Sequence, residues 1–244
     1  MSKEKVQDHY LSTMMLKHGD KPQPDVQQIA LTGAAKEGSI GSVIKIQIGS
    51  PSITEFRDDV IDSDLDFQGF TTLIMCHGYT YMDWLENVPD EETKHIIDVN
   101  LYGSIRMIKQ FVNTTIDAPY RKKIISIGSM AYNKVLNGSA AYCASKAGLN
   151  MFIRCAAWEL APKGYDVYII HPSNVADAPM SYDTIKHLMR YRKLDQNEAL
   201  SYWSSNAIRP MLSKEEIASH VEYIIYGDTS YLSGCPIELG GGSR

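Results

Sequence analysis

Three short, nearly unbroken apolar runs constrain what this chain can fold into. They are Thr71-Thr-Leu-Ile-Met-Cys76, Lys123-Ile-Ile-Ser-Ile-Gly128 and Val167-Tyr-Ile-Ile-His171. Runs of this length read as strands buried on both faces, the signature of a parallel sheet. Between them lie segments of helical period. Ile97, Leu101, Ile105, Ile108 and Val112 share one face within Glu91–Thr115, and Leu149, Phe152, Ile153 and Ala156 one side of Ala140–Leu160. Gln28-Ile-Ala-Leu-Thr-Gly33 predicts an earlier strand entering a glycine turn, and Pro236–Leu239 a last one before Gly240-Gly-Gly242. A further helix is expected over Ile217–Tyr226, after a variable, partly helical stretch at 179–212. Strands alternating with amphipathic helices predict an α/β fold with a doubly wound parallel sheet, ligands binding at the strand carboxyl ends.

The chain's 244 residues suit one large domain, expected over 26–244. Residues 1–25 are polar and end in Lys21-Pro-Gln-Pro24, so they read as an extension. A formal net charge of -5 gives no electrostatic reason for a nucleic acid or an anionic membrane as partner. No apolar run reaches the ~20 residues of a membrane span. Met1-Ser-Lys-Glu-Lys is not followed by an apolar stretch, so no signal peptide is expected. Cys76, Cys143, Cys155 and Cys235 form no C-x-x-C pair and read as reduced, mostly buried thiols of a cytoplasmic protein.

The chemistry concentrates around Tyr142-Cys-Ala-Ser-Lys146, which places a phenol and an ammonium one helical turn apart. A free phenol has a pKa of about 10; a nearby cation favours the phenolate and lets the tyrosine act as acid or base near neutrality. Alone, such a pair is more often two surface residues. Ser129 lies just beyond the strand at 123–128, where a hydroxyl can face the same cleft. Asn100 falls inside the helix beginning near Glu91, and a mid-helix asparagine needs a packing or polar reason.

Together, Asp98-Val-Asn-Leu-Tyr-Gly103, Ile124-Ile-Ser-Ile-Gly-Ser129 and Tyr142-Cys-Ala-Ser-Lys-Ala-Gly-Leu149 resemble successive signatures of the short-chain dehydrogenase/reductase family. His171-Pro-Ser-Asn-Val175 resembles its P-G-x-V turn. Arg209 with Lys214-Glu-Glu-Ile-Ala218, and Tyr231-Leu-Ser-Gly234 onward, resemble its C-terminal pattern. The resemblance spans roughly 70–242 and implies a Rossmann-like sheet and hydride transfer between NAD or NADP and a carbonyl or secondary alcohol. It also implies a role for each matched residue. Tyr142 is the acid/base, Lys146 lowers its pKa and holds the nicotinamide ribose, Ser129 orients the substrate oxygen, and Asn100 supports a water path. Gly33, Ser39, Ile40, Asp59, Val60, Gly78, Tyr142, Lys146, Pro172 and Val175 become the candidate cofactor contacts. A homodimer or homotetramer is implied, with Met107, Phe111, Met151 and Trp158 as interface or core residues.

The cofactor half departs from this pattern. Thr32-Gly-Ala-Ala-Lys-Glu-Gly-Ser-Ile-Gly41 looks like the longer glycine loop of the enoyl-acyl-carrier-protein reductase branch, although the tyrosine spacing does not. Between Thr32 and Arg57-Asp-Asp-Val60 roughly 20 residues, about one strand–helix unit, are missing against the family pattern, so the first β-α-β region is abbreviated. Ser42-Val-Ile-Lys-Ile-Gln-Ile48 alternates and is β-branched; a strand is the preferred reading and a short helix the alternative. Met75-Cys-His-Gly78 replaces N-N-A-G, Ser173 replaces a glycine, and Asp177 stands where a threonine usually meets the nicotinamide carboxamide. Cys76 and His77 read as packing residues rather than metal ligands, and no metal is expected. The stretch 181–206 would form a lid. Lys186, Arg190, Arg192 and Lys193, with Tyr182, Tyr191, Tyr202 and Trp203, fit an anionic or sugar-like ligand, while an ordinary solvated helix is the preferred reading. These departures leave a second function open: a non-redox ligand-binding or assembly protein on the same scaffold.

Overall fold

The computed structural model describes residues 27–33, 37–48, 53–56, 59–204 and 211–242. The proposed extension, Arg57 and Arg209 lie outside them. Six strands, β1 (Ile29–Thr32), β2 (Ile53–Phe56), β3 (Thr72–Met75), β4 (Lys122–Ile127), β5 (Tyr165–Pro172) and β6 (Pro236–Leu239), form one parallel sheet in the order β2-β1-β3-β4-β5-β6. Chain order reverses at β1, which lies between β2 and β3. A doubly wound sheet opens a crevice at such a point. No helix of the described residues is long and apolar enough to cross a membrane.

Alternation along the strands builds two cores. Ala30, Leu73, Met75, Ile124, Val167 and Ile169 face one layer, packed by α3 (Ser104–Thr115) and α4 (Ala140–Leu160) through Met107, Phe111, Leu149 and Ile153. Ile29, Leu31, Ile74, Ile125, Ile127, Tyr168 and Ile170 face the other, covered by α1 (Ile40–Ile48) and α7 (Lys214–Tyr226). A one-residue slip would exchange the two sets, so packing on both faces pins the register. Met107 and Phe111 are therefore core residues, not interface candidates, whereas Met151 and Trp158 on α4 are 53% and 69% exposed.

The stretch at 42–48 is a helix, contrary to the preferred strand reading. Ile40, Val43, Ile44 and Ile48 form a helical stripe against the core, while Ile46, part of the apparent alternation, is 78% exposed. The Ser39 hydroxyl accepts from the Ser42 N–H at 3.1 Å, and Gln47 reaches Ser219 and Glu222 of α7. Packing thus outweighs β-propensity. The strand after this helix, β2, is also present. The shortening falls beyond it: the described chain resumes at Asp59 and reaches β3 through turns and loop, with no second crossover helix and no outer strand among the described residues.

Two lysines beginning β4 are buried instead of exposed. Lys123 Nζ donates to the carbonyls of Ile224 and Ile225, both at 2.8 Å, and of Gly227 at 3.2 Å, closing the C-terminus of α7. Lys122 Nζ donates to the Thr115 carbonyl at the end of α3 and lies 4.3 Å from the centroid of the Tyr165 ring. Cations at these helix ends meet carbonyls that have no partner within the helix.

Candidate active site

Ser129, immediately after β4, and Tyr142, in the first turn of α4, converge at the carboxyl edge of the sheet. The Ser129 hydroxyl accepts from the Ala131 N–H at 3.2 Å. Burial raises the Tyr142 pKa to about 12, and the neighbouring Ser129 hydroxyl opposes the rise without overcoming it. This corrects the expectation of a lowered phenol: Lys146 Nζ lies 5.7 Å from the centre of the tyrosine ring, and burial dominates. Lys146 is itself lowered to about 8 by burial, with Cys76 acting in the opposite direction. Its ammonium points toward the Ile127 carbonyl at 3.4 Å.

Asn100 sits in a π-helical segment, Asp98–Gly103, joining α2 (Asp90–Ile97) to α3. The interruption explains an asparagine where the sequence predicts one regular helix, since π-turns break the i→i−4 ladder. Asn100 Oδ1 accepts from the Tyr79 N–H at 2.8 Å; its Nδ2 donates to the Tyr79 carbonyl at 2.9 Å and to Ser145 Oγ at 3.0 Å. The side chain thereby ties the loop after β3 to α4. Gly78 lies in that loop, and a Cβ there would stand 3.5 Å from Asn100 Oδ1 and 3.7 Å from Lys146 Nζ.

A cleft of about 490 Å³ runs past these residues. Ile40, Gly78, Ser129, Tyr142, Lys146, Pro172 and Val175 all line it. Gly33, Ser39, Asp59, Val60 and Asn100 do not. Gly33 has φ +77°, and a Cβ on it would come within 2.3 Å of the His77 nitrogen, so close packing on the β3 exit demands it. Ser39 caps α1. Asp59 accepts from the Ile61 N–H at 2.7 Å, and Val60 packs on Gly103.

Three features were not legible as functional in the sequence. His171, at the end of β5, is fully buried and is lowered to about 4 chiefly by burial, so it is neutral near pH 7. Its Nδ1 lies 2.9 Å from the Ser129 carbonyl oxygen and 3.2 Å from the Ser129 nitrogen, and its Nε2 lies 3.1 Å from Asn150 Oδ1. The ring stacks on Tyr132 with centroids 3.9 Å apart. His77, lowered to about 3 by burial and then by the charge of Lys146, bridges Thr32 Oγ1 and Ser104 Oγ at 2.9 and 3.0 Å. Lys214 Nζ donates to the carbonyls of Gly38 and Asp177, each at 3.0 Å, fastening the glycine loop to the turn after β5. A histidine ending an apolar strand was the available signal for His171; nothing local marks the other two.

The lid consists of α5 (Pro179–Arg192) and α6 (Gln196–Trp203). Its charges turn away from the cleft. Arg190 donates to the Met82 carbonyl and Asp83, Arg192 packs on the rings of Tyr202 and Trp84, and Lys186 is 76% exposed near Asp183.

The family model described as short chain dehydrogenase matches residues 42–188. The chain belongs to the short-chain dehydrogenase family. Members of this family are oxidoreductases acting on CH–OH and C=O groups. The chain is 30% identical, over 134 residues, to the vibriobactin-specific 2,3-dihydro-2,3-dihydroxybenzoate dehydrogenase of Vibrio cholerae, covering 55% of this chain and 50% of that protein. It thus spans half the length of that relative. Against the 3-oxoacyl-acyl-carrier-protein reductase of Buchnera aphidicola, identity is 28% over 208 residues, 85% of this chain and 78% of the relative. A single-site variant of the actinorhodin polyketide ketoreductase, solved with NADPH, superposes with a TM-score of 0.77 at 20% identity, covering 91% of this chain and all of that one. This last likeness is one of fold.

Proposed function

We propose that this short-chain dehydrogenase transfers hydride between a nicotinamide dinucleotide and a ketone or secondary alcohol, with Tyr142, Ser129 and Lys146 carrying the chemistry. The observation that carries the reading is the convergence of Ser129, Tyr142 and Lys146 on one cleft. Family membership favours this redox function over a non-redox scaffold.

The residues fit the cofactor. At the switch between β1 and its neighbours, α1 presents its N-terminal end beside Ile40, where backbone N–H groups suit a pyrophosphate. The missing side chain at Gly78 leaves space beside Lys146. Gly33 and Ser39 shape this loop from behind, and Asp59 and Val60 are proposed for the adenine end. The dinucleotide, when bound, supplies or accepts the hydride. The Ser129 hydroxyl donates to the substrate oxygen, and Tyr142, kept as a phenol by burial, delivers the proton in the reducing direction and takes it back in the oxidising one. Lys146 holds a positive charge beside the phenolate and the ribose. Asn100 acts as a brace, keeping Tyr79 and α4 in register. NAD and NADP are both compatible with these contacts.

A homodimer or homotetramer is proposed on the exposed Met151 and Trp158 of α4, and a cytoplasmic location on the four free thiols, which are half-buried (Cys76, Cys143) or exposed (Cys155, Cys235) rather than mostly buried as expected. Titration of NADH and NADPH by nucleotide fluorescence tests the core reading. Micromolar binding of either supports it, and no binding at millimolar concentration removes it.

A further inference from the structure

We infer that the substrate end of the cleft is built for a ketone with an apolar body, not for a polyol or a sugar. The inference rests on the redox reading above and names the substrate class of the same site. Beside Ser129 and Tyr142 the lining takes in Met82, Met180, Leu188, Trp203, Val135 and Leu136, with Thr80, Lys134, Thr184 and Tyr202 among its polar members. Val135 is 95% exposed and Leu136 42%, so the apolar surface continues from the reacting hydroxyls to the rim.

Several polar groups along this path are already engaged. Ser181 Oγ donates to the Val175 carbonyl at 2.6 Å, Asn174 Nδ2 donates to the Trp203 carbonyl, and the Asn137 carbonyl accepts from Tyr191 OH at 2.9 Å. No aspartate or glutamate lines the cleft among the described residues, although carboxylates are the natural acceptors for sugar hydroxyls. None of the lid cations lines the cleft among the described residues: Arg190 donates to the Met82 carbonyl and Asp83, Arg192 packs on aromatic faces and Lys186 lies near Asp183. Hydroxyls brought against the apolar part of this lining exchange water for few partners, which costs binding, whereas each buried methylene gains. A pocket of this kind discriminates by apolar length.

The test uses the full-length protein and methyl ketones from 2-butanone to 2-decanone, with erythrulose as a four-carbon hydroxylated counterpart of 2-butanone. With whichever dinucleotide binds, kcat/KM is expected to rise roughly fourfold per methylene over the first several carbons. Erythrulose is expected to fall at least about tenfold below 2-butanone. The second readout needs no turnover: 2-decanone is titrated against tryptophan fluorescence, with Trp203→Phe identifying the reporting ring. The double variant Val135→Asn, Leu136→Asn should flatten the long-chain end of both series. A flat chain-length series with erythrulose preferred overturns the inference. If no dinucleotide binds but 2-decanone does, in a rim-dependent way, the redox reading falls and the apolar site stands. If neither ketone binding nor a chain-length trend is seen while the dinucleotide binds, the reverse holds.

Discussion

His171 meets Ser129 at both of its backbone polar groups, with one ring nitrogen 2.9 Å from the carbonyl oxygen and 3.2 Å from the amide nitrogen. The hydroxyl proposed to orient the substrate is therefore carried by a residue whose main chain is fixed from the neighbouring strand. Gly128 makes this possible, since a Cβ there would lie 2.5 Å from the same histidine nitrogen. Replacing His171 with leucine should cost roughly 1–3 kcal/mol, because buried partners lose their hydrogen bonds. It should also lower kcat more than it raises KM. His171→Asn should recover part of kcat by restoring a polar contact. Denaturant unfolding and steady-state kinetics together check this, and an unchanged kcat in the leucine variant would reject the positioning role.

Tyr142→Phe removes the proton carrier while keeping the ring. Turnover should drop by about two to four orders of magnitude, the span of general acid–base catalysis. Dinucleotide binding should remain within a few-fold of the parent. Retained turnover would discard the acid/base assignment.

Lys146 provides a pH signature. Its pKa is lowered to about 8, so it is charged below that pH and neutral above. If its ammonium contacts the ribose, dinucleotide affinity falls as pH rises through 8, and Lys146→Met flattens the profile. Stability moves the other way. Between about 8 and the ordinary lysine value of 10.5 the unfolded chain keeps a proton that the folded chain has released, so unfolding free energy increases with pH across that window. Below 8 both states are protonated and the slope vanishes. Urea titrations of parent and variant at several pH values measure the difference.

Much of the layout was legible because burial writes itself into residue type. Ala140–Leu160 and Pro236–Leu239 match their predicted limits, and Ser129, Tyr142 and Lys146 line one cleft. The failures have separate causes. At α1, Ile44, Ile46 and Ile48 alternate like a strand, and only the packing of Ile40, Val43, Ile44 and Ile48 against the core reveals the helical stripe. The pKa of Tyr142 could not be read because spacing reports a neighbouring charge but not the cost of desolvation. At the lid the solvated helix is the preferred reading, and the anion-site alternative arises because a sequence does not show which acids and rings its arginines already touch.

Lys123→Met should destabilise the fold by roughly 2–4 kcal/mol, more than a surface lysine would, because buried carbonyls at the end of α7 lose their donor. Thermal unfolding checks this, and amide exchange in the last turn of α7 should accelerate. A neutral substitution would show that solvent can replace the ammonium there.

The shortening beyond β2 has a consequence for how this architecture tolerates change in length. Cleft residues come from the start of α1, the ends of β4 and β5, the loops after β3, β4 and β5, and the helices α4, α5 and α6, while β2 contributes none and ends the sheet on one side. Added length would join the edge of β2, so a graft of roughly one helix and one strand between β2 and β3 would extend the sheet on the side away from Ser129, Tyr142 and Lys146.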